Sequence, residues 1–370
     1  MVPRRTVKLK EIMTHSSPQS IDLGRCRIGN GEPCFVIAEA GVNHNGDIEL
    51  AHRLIDVAGD AGASAVKFQT FRADDLARPD TPKSAYQTTA TGSGENQFEM
   101  LKKLELPREV HLELMDHAAA RDLVFLSTPF EEGSADFLYE QGVAAFKIPS
   151  GEVTNLPFLR HVTAKGRPII LSTGGSTMDE VGAAVESIGQ EGGAGQSNLV
   201  LLHCVSTYPA NPAEANLRAM SALSDAFGTF VGWSDHTPGI AVALAAAALG
   251  AVVIEKHVTL DREMPGPDHA ASLSPEEMSD LVAGIRTVEA ALGDGQKIPS
   301  DGELEVMSVV RKSLAAARDL GAGTVLSTKD VMAVRPGSGI PPSETELILG
   351  RRLRRSLARG ELLDLDMFET

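Results

Sequence analysis

From Phe35 to about Leu292 the chain alternates short, β-branched apolar runs with amphipathic stretches of ten to fifteen residues, and it does so eight times. The runs are FVIAE (35–39), AVKFQ (65–69), LVFLS (123–127), AAFKI (144–148), PIILS (168–172), LVLLH (199–203), TFVGW (229–233) and VVIEK (252–256). Near-continuous apolar runs of that length, separated by helical periodicity, are the pattern of parallel strands covered on both faces. Helices are predicted at 47–61, opened by Asp47, at 107–120, opened by Pro107, and at 131–141, 155–164, 177–190, 214–226, 238–249 and 275–292. Ser274 caps the last of these and Pro275 sits in its first turn. Eight β/α units over 258 residues match a (β/α)8 TIM barrel, typically about 250 residues, whereas an open doubly wound sheet rarely needs eight consecutive units. The expected fold class is therefore α/β, with the barrel at residues 35–292.

Residues 1–34 form an N-terminal extension, 293–305 a Gly-, Pro- and charge-rich linker, and 306–370 a small second module. The basic MVPRRTVKLK is followed by polar HSSPQS rather than an apolar core, so no secretory signal is expected. The most apolar stretch, 240–254, is too short to span a membrane and is expected to be a buried helix feeding a strand. One connection is out of scale. Between Gln69 and Ser127 the chain carries PDTPKSAYQTTATGSGENQ before its helix, and a barrel loop that long is usually a lid or an oligomer contact.

Charge narrows the function. Thirty-four Lys and Arg against fifty Asp and Glu leave a net −16, which disfavours nucleic acid as a partner. An anionic substrate would need a few local cations acting against that field. Three cysteines, Cys26, Cys34 and Cys204, with no CxxC spacing, suit a reducing cytoplasm rather than a disulfide framework or a zinc site.

A TIM barrel does its chemistry at the C-terminal ends of its strands, and here those ends are polar: Glu39; Lys67 and Gln69; Ser127 and Thr128; Lys147, Ser150 and Glu152; Ser172 and Thr173; Ser206 and Tyr208; Ser234 and His236; Glu255 and His257. Strand alternation puts Lys67 with Gln69, and Glu255 with His257, on one face. Lys67 and Lys147 lie within apolar strands, where an unpaired ammonium is costly. They are either buried ion pairs with Glu39 or Glu255, a clamp on a phosphate and carboxylate, or, for one of them, a Schiff-base nucleophile. The hydroxyls of Ser150, Ser172 and Ser234 favour the clamp. His236 and His257 end consecutive strands and can converge on one divalent metal, with His203 either a third member or a core residue. The histidines of HLELMDH (111–117) are expected at the surface. Glu39 and Asp268 are rim carboxylates suited to sugar hydroxyls, metal-bound water or a moving proton. No GxGxxG follows a strand, and GxxxxGK[ST] and GxSxG are absent.

These segments, in this order, resemble the N-acetylneuraminate (sialic acid) synthase family: IAEAGVNHNGD, AVKFQTF, FLSTPF, FKIPSGE, ILSTGG, LLHCVSTYP, GWSDHT, EKHVT and PGPDH. VRPGSGIPP resembles the arginine-bearing segment of its C-terminal antifreeze-like (SAF, β-clip) domain. The resemblance implies condensation of phosphoenolpyruvate with an N-acetylated mannosamine-type sugar, giving a nine-carbon 2-keto acid and phosphate, with Mn²⁺ or Mg²⁺ as cofactor. It implies Lys67, Lys147, Ser150, Ser172 and Ser234 around phosphoenolpyruvate and His236 with His257 on the metal. Glu39, Gln69, Tyr208, Asp268 and Arg335 would face the sugar. Glu152, placed near both substrates, is the proton-transfer candidate, and Glu39 and Lys67 join it as catalytic candidates. Ser206, counted with the substrate-binding residues near the sugar pocket, is asparagine in some members of the family. The resemblance also implies a homodimer in which the SAF domain is swapped, carrying Arg335 to the other subunit. The long loop resembles those of N-acetylneuraminate and legionaminic acid synthases alike, and N-acetylmannosamine is taken as the preferred sugar over the 2,4-diacetamido-trideoxy mannose of the latter. The rivals are a lysine Schiff-base aldolase on the same barrel and a carbohydrate-binding protein without turnover.

Overall fold

A computed structural model describes residues 20–190 and 196–369. The basic N-terminal segment lies outside the described residues. Eight parallel strands make up the first unit: β1 (Phe35–Gly41), β2 (Ala65–Thr70), β3 (Val124–Pro129), β4 (Phe146–Ile148), β5 (Ile169–Ser172), β6 (Leu199–Cys204), β7 (Phe230–Asp235) and β8 (Val253–His257). Their hydrogen-bonded order is β3-β2-β1-β8-β7-β6-β5-β4, so the first and last strands pair and the ring is nearly closed. The strands alternate with α1 (Ile48–Asp60), α2 (His111–Ala120), α3 (Glu132–Gln141), α4 (Leu156–Thr163), α5 (Met178–Gln190), α6 (Ala219–Phe227), α7 (Ala241–Ala248) and α8 (Pro275–Leu292). This is the expected TIM barrel. Its helix starts follow the expected chemistry: the Asp47 carboxylate accepts from the backbone N–H of Glu49 and Leu50, and Ser274 and Glu277 close a capping box ahead of α8.

Side chains divide by strand period. Residues pointing outward, such as Val36, Val66, Phe68, Phe146, Leu171, Leu201, Trp233 and Ile254, are buried in one continuous cluster with the helices. Inward residues at the N-terminal ends, including Phe35, Ile37, Ala65, Val124, Leu126, Ile170, Val200, Leu202 and Val253, form a second cluster inside the ring. Ile21, Leu23 and Ile28 belong to that inner cluster. They come from a short antiparallel hairpin, Ile21–Asp22 with Arg27–Ile28, so part of the N-terminal extension plugs the bottom of the barrel. With the bottom filled by apolar side chains, polar inward positions are confined to the top.

Residues 294–369 belong to a separate compact unit. The helix α9 (Asp301–Val310), capped by Ser300, occupies the end of the expected linker and the start of the expected module. Antiparallel strands β9 (Ser313–Ala316) and β10 (Val331–Val334) follow, with Leu314, Leu320, Leu326, Ile348, Leu353, Leu357 and Phe368 in a core of the unit's own. Among the described residues no helix is long and apolar enough to cross a membrane, and residues 240–254 divide, as expected, into a helix (α7) and a strand (β8).

Candidate active site

The inward positions at the strand tops line a cavity of about 360 Å³. Along β1 the inward series runs Phe35, Ile37, Glu39; along β2, Ala65, Lys67, Gln69; along β8, Val253, Glu255, His257. Each series is apolar until its last members, because the ring interior is dry below and opens above. In β1–β2 the register slips after Glu39, where Gly41 takes a positive φ of 55°. A Cβ there would lie 3.3 Å from the Glu39 carboxylate and 3.5 Å from both Gln69 and His257, so the glycine lets three site side chains close in.

At the centre are two ammonium groups and two carboxylates. Lys67 Nζ lies 2.8 Å from Glu39 and 3.7 Å from Glu255, and donates to Thr128 Oγ1 at 2.9 Å. Lys147 Nζ lies 3.4 Å from Glu255, and Ser234 Oγ donates to Glu255 at 2.9 Å. All four charged residues are buried. Burial pushes the Glu39 carboxyl up, against the pull of Lys67. Burial acts on Glu255 in the same sense, but Lys147 and Lys67 outweigh it and hold that carboxyl low. Burial likewise draws Lys67 down, and Glu255 with Glu39 more than reverse it, whereas Lys147, with less compensation, stays lowered. The lysines are thus both ion-paired and cavity-lining. A multiply anionic ligand entering here meets two fixed cations whose desolvation has already been compensated by the protein's own carboxylates.

Hydroxyl groups ring this cluster. Ser150 Oγ accepts from the Gly174 N–H at 2.9 Å and sits 3.2 Å from Cys204 Sγ, while Ser172 Oγ is buried with no partner inside the protein. His236 and His257 have ring centroids 5.5 Å apart. The Nδ1 of His236 is 2.8 Å from the Val205 carbonyl, to which it can donate, leaving Nε2 as the lone-pair nitrogen; Nδ1 of His257 is buried without a protein partner. Burial pushes both imidazoles down, toward the neutral form that metal binding requires. Two adjacent neutral imidazoles are a donor set that could hold a divalent ion. Among the described residues no third His, Cys, Asp or Glu joins them in a metal-sized cluster. Tyr208 packs on His236 at 4.1 Å between centroids and stacks on Tyr86 at 4.9 Å. Ser206 and Asp268 complete that side, the buried Asp268 carboxyl pushed up to about 6 by loss of solvent.

Residues 54–297 match the NeuB family and residues 311–369 the SAF domain. This chain belongs to the NeuB family. It is 48% identical over 336 residues to the N,N'-diacetyllegionaminic acid synthase of Legionella pneumophila, covering 90% of this chain and 94% of that protein. It is 46% identical to the N,N'-diacetyllegionaminic acid synthase of Campylobacter jejuni, covering 89% and 98%. The crystal structure of an N-acetylneuraminic acid (sialic acid) synthetase from Leptospira borgpetersenii, in complex with citrate, aligns with a TM-score of 0.69 at 36% identity, over 79% of this chain and 96% of that one.

Several expected positions behave differently in this NeuB-family barrel. Glu152 is not among the cavity-lining residues. Residues Ser150–Glu152 form one tight 3-10 turn in which successive side chains are swung about a third of a revolution apart, and Glu152 accepts from Asn155 Nδ2 at 2.6 Å instead. Ser127 and Thr173, at strand ends, are also outside the lining: Ser127 bonds Thr70 Oγ1, and Thr173 donates to the Leu202 carbonyl. His203 has the core role, its Nε2 bonded to the Ala215 carbonyl and its ring against Trp233. The surface expectation for 111–117 fails at His111, which is fully buried between Thr70 and the Pro107 carbonyl. Arg335 is an exposed residue of the SAF unit whose Nε donates to the Val310 carbonyl at 3.0 Å.

Sequence reasoning read the long insertion as a lid or an oligomer contact without naming its residues, and placed Glu255 at the mouth without including it among the site residues. The insertion folds into helices Ala73–Leu76, Ala85–Thr91 and Gln97–Leu104, and it supplies Tyr86, Gln87, Gln97, Met100, Leu101 and Leu104 to the cavity. The local signals were present: Ser84 with Gln87, and Asn96 with Glu99, each form a capping box.

Proposed function

We propose that this chain is a nonulosonic acid synthase that condenses phosphoenolpyruvate with an open-chain N-acetylated mannosamine-type sugar, releasing phosphate. The observation that carries the reading is the pair of buried lysines, Lys67 and Lys147, flanking Glu255 at the barrel mouth amid serine and threonine hydroxyls. That is a receptor for a compact anion with several acceptor oxygens. The names of the relatives above move the preferred sugar from N-acetylmannosamine to a 2,4-diacetamido-trideoxy mannose, the precursor of a legionaminic-type acid.

In this reading the lysines and the hydroxyls of Ser150, Ser172 and Ser234 orient phosphoenolpyruvate so that its methylene carbon faces the aldehyde carbon of the sugar. Glu39, Gln69, Tyr208 and Asp268 hold sugar hydroxyls and fix the open chain in place. His236 and His257 would hold Mn²⁺ or Mg²⁺, which when bound supplies Lewis-acid polarisation of the aldehyde oxygen. The new C–C bond leaves positive charge on C2 of the former phosphoenolpyruvate; water adds there, and the resulting tetrahedral adduct loses phosphate by C–O cleavage to give the 2-keto acid. Glu39, pushed up by burial beside Lys67, is better placed than Glu152 to take and return a proton in this sequence. Arg335 of a second subunit is proposed to complete the sugar site in a homodimer.

The test is release of inorganic phosphate from phosphoenolpyruvate by the purified protein with a panel of N-acetylated sugars, with and without added Mn²⁺. Phosphate release that depends on sugar supports the synthase. Borohydride trapping of substrate on a lysine would instead favour the Schiff-base aldolase, and sugar binding without turnover the carbohydrate-binding protein.

A further inference from the structure

The cavity has two unlike sides. The charged and hydroxylic groups come from the barrel strands, whereas the insertion presents Met100, Leu101 and Leu104, with two amide side chains, Gln87 and Gln97, beside them. An apolar wall is a poor neighbour for a bare sugar hydroxyl, which would lose hydration without gaining a partner. The amides are arranged as a pair. Gln87 Oε1 accepts from the Ser84 N–H at 3.0 Å and from Gln97 Nε2 at 3.3 Å, so both of its lone pairs are spent. Its Nε2 carries two hydrogens, of which one faces the Tyr86 hydroxyl and one is left to donate; both amide side chains line the cavity, and the Oε1 of Gln97 remains an acceptor. One donor, one acceptor and an adjoining apolar surface complement a group that carries a carbonyl, an N–H and a methyl.

We propose that Gln87 and Gln97 form a subsite for the acetamido group of the sugar that is remote from its aldehyde, its carbonyl accepting from Gln87 Nε2, its N–H donating to Gln97 Oε1, and its methyl lying on Met100 and Leu101. This rests on the synthase reading: the lysine cluster takes phosphoenolpyruvate, the aldehyde lies against it, and the far end of the sugar reaches the insertion. The subsite is held in shape before substrate arrives. Lys83 Nζ donates to Thr91 Oγ1 at 2.7 Å and to the Gly92 carbonyl at 3.1 Å, and pairs with Glu95 at 3.3 Å, tying the helix that carries Gln87 to the one that carries Gln97. These residues make the enzyme discriminate a doubly acetamidated sugar from one with a hydroxyl at the remote position.

The experiment measures phosphate release by the full chain at saturating phosphoenolpyruvate, with N-acetylmannosamine and with 2,4-diacetamido-2,4,6-trideoxymannose. The variants are Gln97→Leu, which removes the acceptor, and Gln87→Glu, which keeps the acceptor for Ser84 but removes the donor. Expected is a fall of roughly tenfold or more in kcat/KM for the diacetamido sugar in each variant, with kcat/KM for N-acetylmannosamine within about twofold and KM for phosphoenolpyruvate unchanged. Equal losses on both sugars, as a merely structural role would give, overturn the subsite, as does no loss on either. A wild-type protein that turns over N-acetylmannosamine but not the diacetamido sugar overturns the subsite and leaves the synthase reading standing. If it releases phosphate with neither sugar, that reading falls and takes the subsite with it.

Discussion

Lys67 Nζ lies 2.8 Å from the Glu39 carboxylate, and both side chains are almost completely buried. They come from neighbouring strands at directly paired register positions, so the ion pair is set by the β1–β2 ladder. Removing one partner alone strands the other charge, which is why substitutions here have to be paired. In the double variants Lys67→Ala/Glu39→Gln and Lys147→Ala/Glu255→Gln, phosphoenolpyruvate binding should weaken by about 2–5 kcal/mol, roughly thirtyfold to several-thousandfold. Titration calorimetry reads this directly. Unchanged affinity in both variants, with the fold intact by circular dichroism, would return the lysines to a purely structural role.

Chelation should abolish phosphate release, and Mn²⁺ or Mg²⁺ should restore it, because two neutral rim imidazoles are available to bind the ion. His236→Ala and His257→Ala should each be inactive and insensitive to added metal. Full activity of the double variant in chelator would end the assignment.

Gly46, in the turn after β1, has a positive φ of 76°, and a Cβ on it would stand 2.5 Å from the backbone carbonyl of Lys103. That carbonyl belongs to the helix Gln97–Leu104 lining the cavity. Gly46→Ala should cost about 1–3 kcal/mol of stability from strain and overlap and push the insertion outward. KM for the sugar should rise more than KM for phosphoenolpyruvate; equal changes would mean that the insertion does not shape the sugar side.

In the proposed homodimer, Arg335→Ala should weaken sugar binding without dissociating the subunits. Mixed with His236→Ala under conditions of subunit exchange, it should regenerate one working site per heterodimer, from the intact barrel of one chain and the intact arginine of the other. Exchange proved by mass spectrometry without recovery of activity would place Arg335 in its own subunit's site or outside catalysis, and a fully active monomer would exclude the arrangement.

Asp330 in the SAF unit is buried and accepts from the Ser327 hydroxyl at 2.7 Å, from its N–H at 3.0 Å and from Arg318 at 3.0 Å. Those bonds, the Ser327 hydroxyl first, hold its carboxyl below the usual aspartate value. A carboxyl depressed in the folded state contributes stability above its unfolded value and loses it as pH falls through the folded one. The SAF transition in calorimetry should therefore drop as pH is lowered below the ordinary aspartate range, and Asp330→Asn should lower it at neutral pH while flattening that acid limb. An acid limb identical in the variant would assign the sensitivity elsewhere.

Much of this was written locally. The eight strand–helix units, the caps at Asp47 and Ser274, and the polar strand ends follow from period-2 and period-3.6 patterning and capping chemistry, which act between residues a few positions apart. Lys67, Lys147, His236 and His257 could be read as cavity residues because strand parity and barrel geometry place any inward residue at a strand top. Tertiary structure decided what local rules do not reach. Closure of the ring sets His257 beside Glu39, more than 200 residues apart in sequence, and only then do two lysines and two carboxylates share one centre. The tight turn after β4 carries Glu152 off the cavity although Ser150, two residues earlier, lines it. The hairpin of Ile21 and Ile28 had no pattern long enough to announce a role, and it became a plug because the barrel bottom offered apolar surface to bury. The insertion showed its capping boxes in sequence, but which face of each helix met the cavity depended on where the barrel stood beneath it.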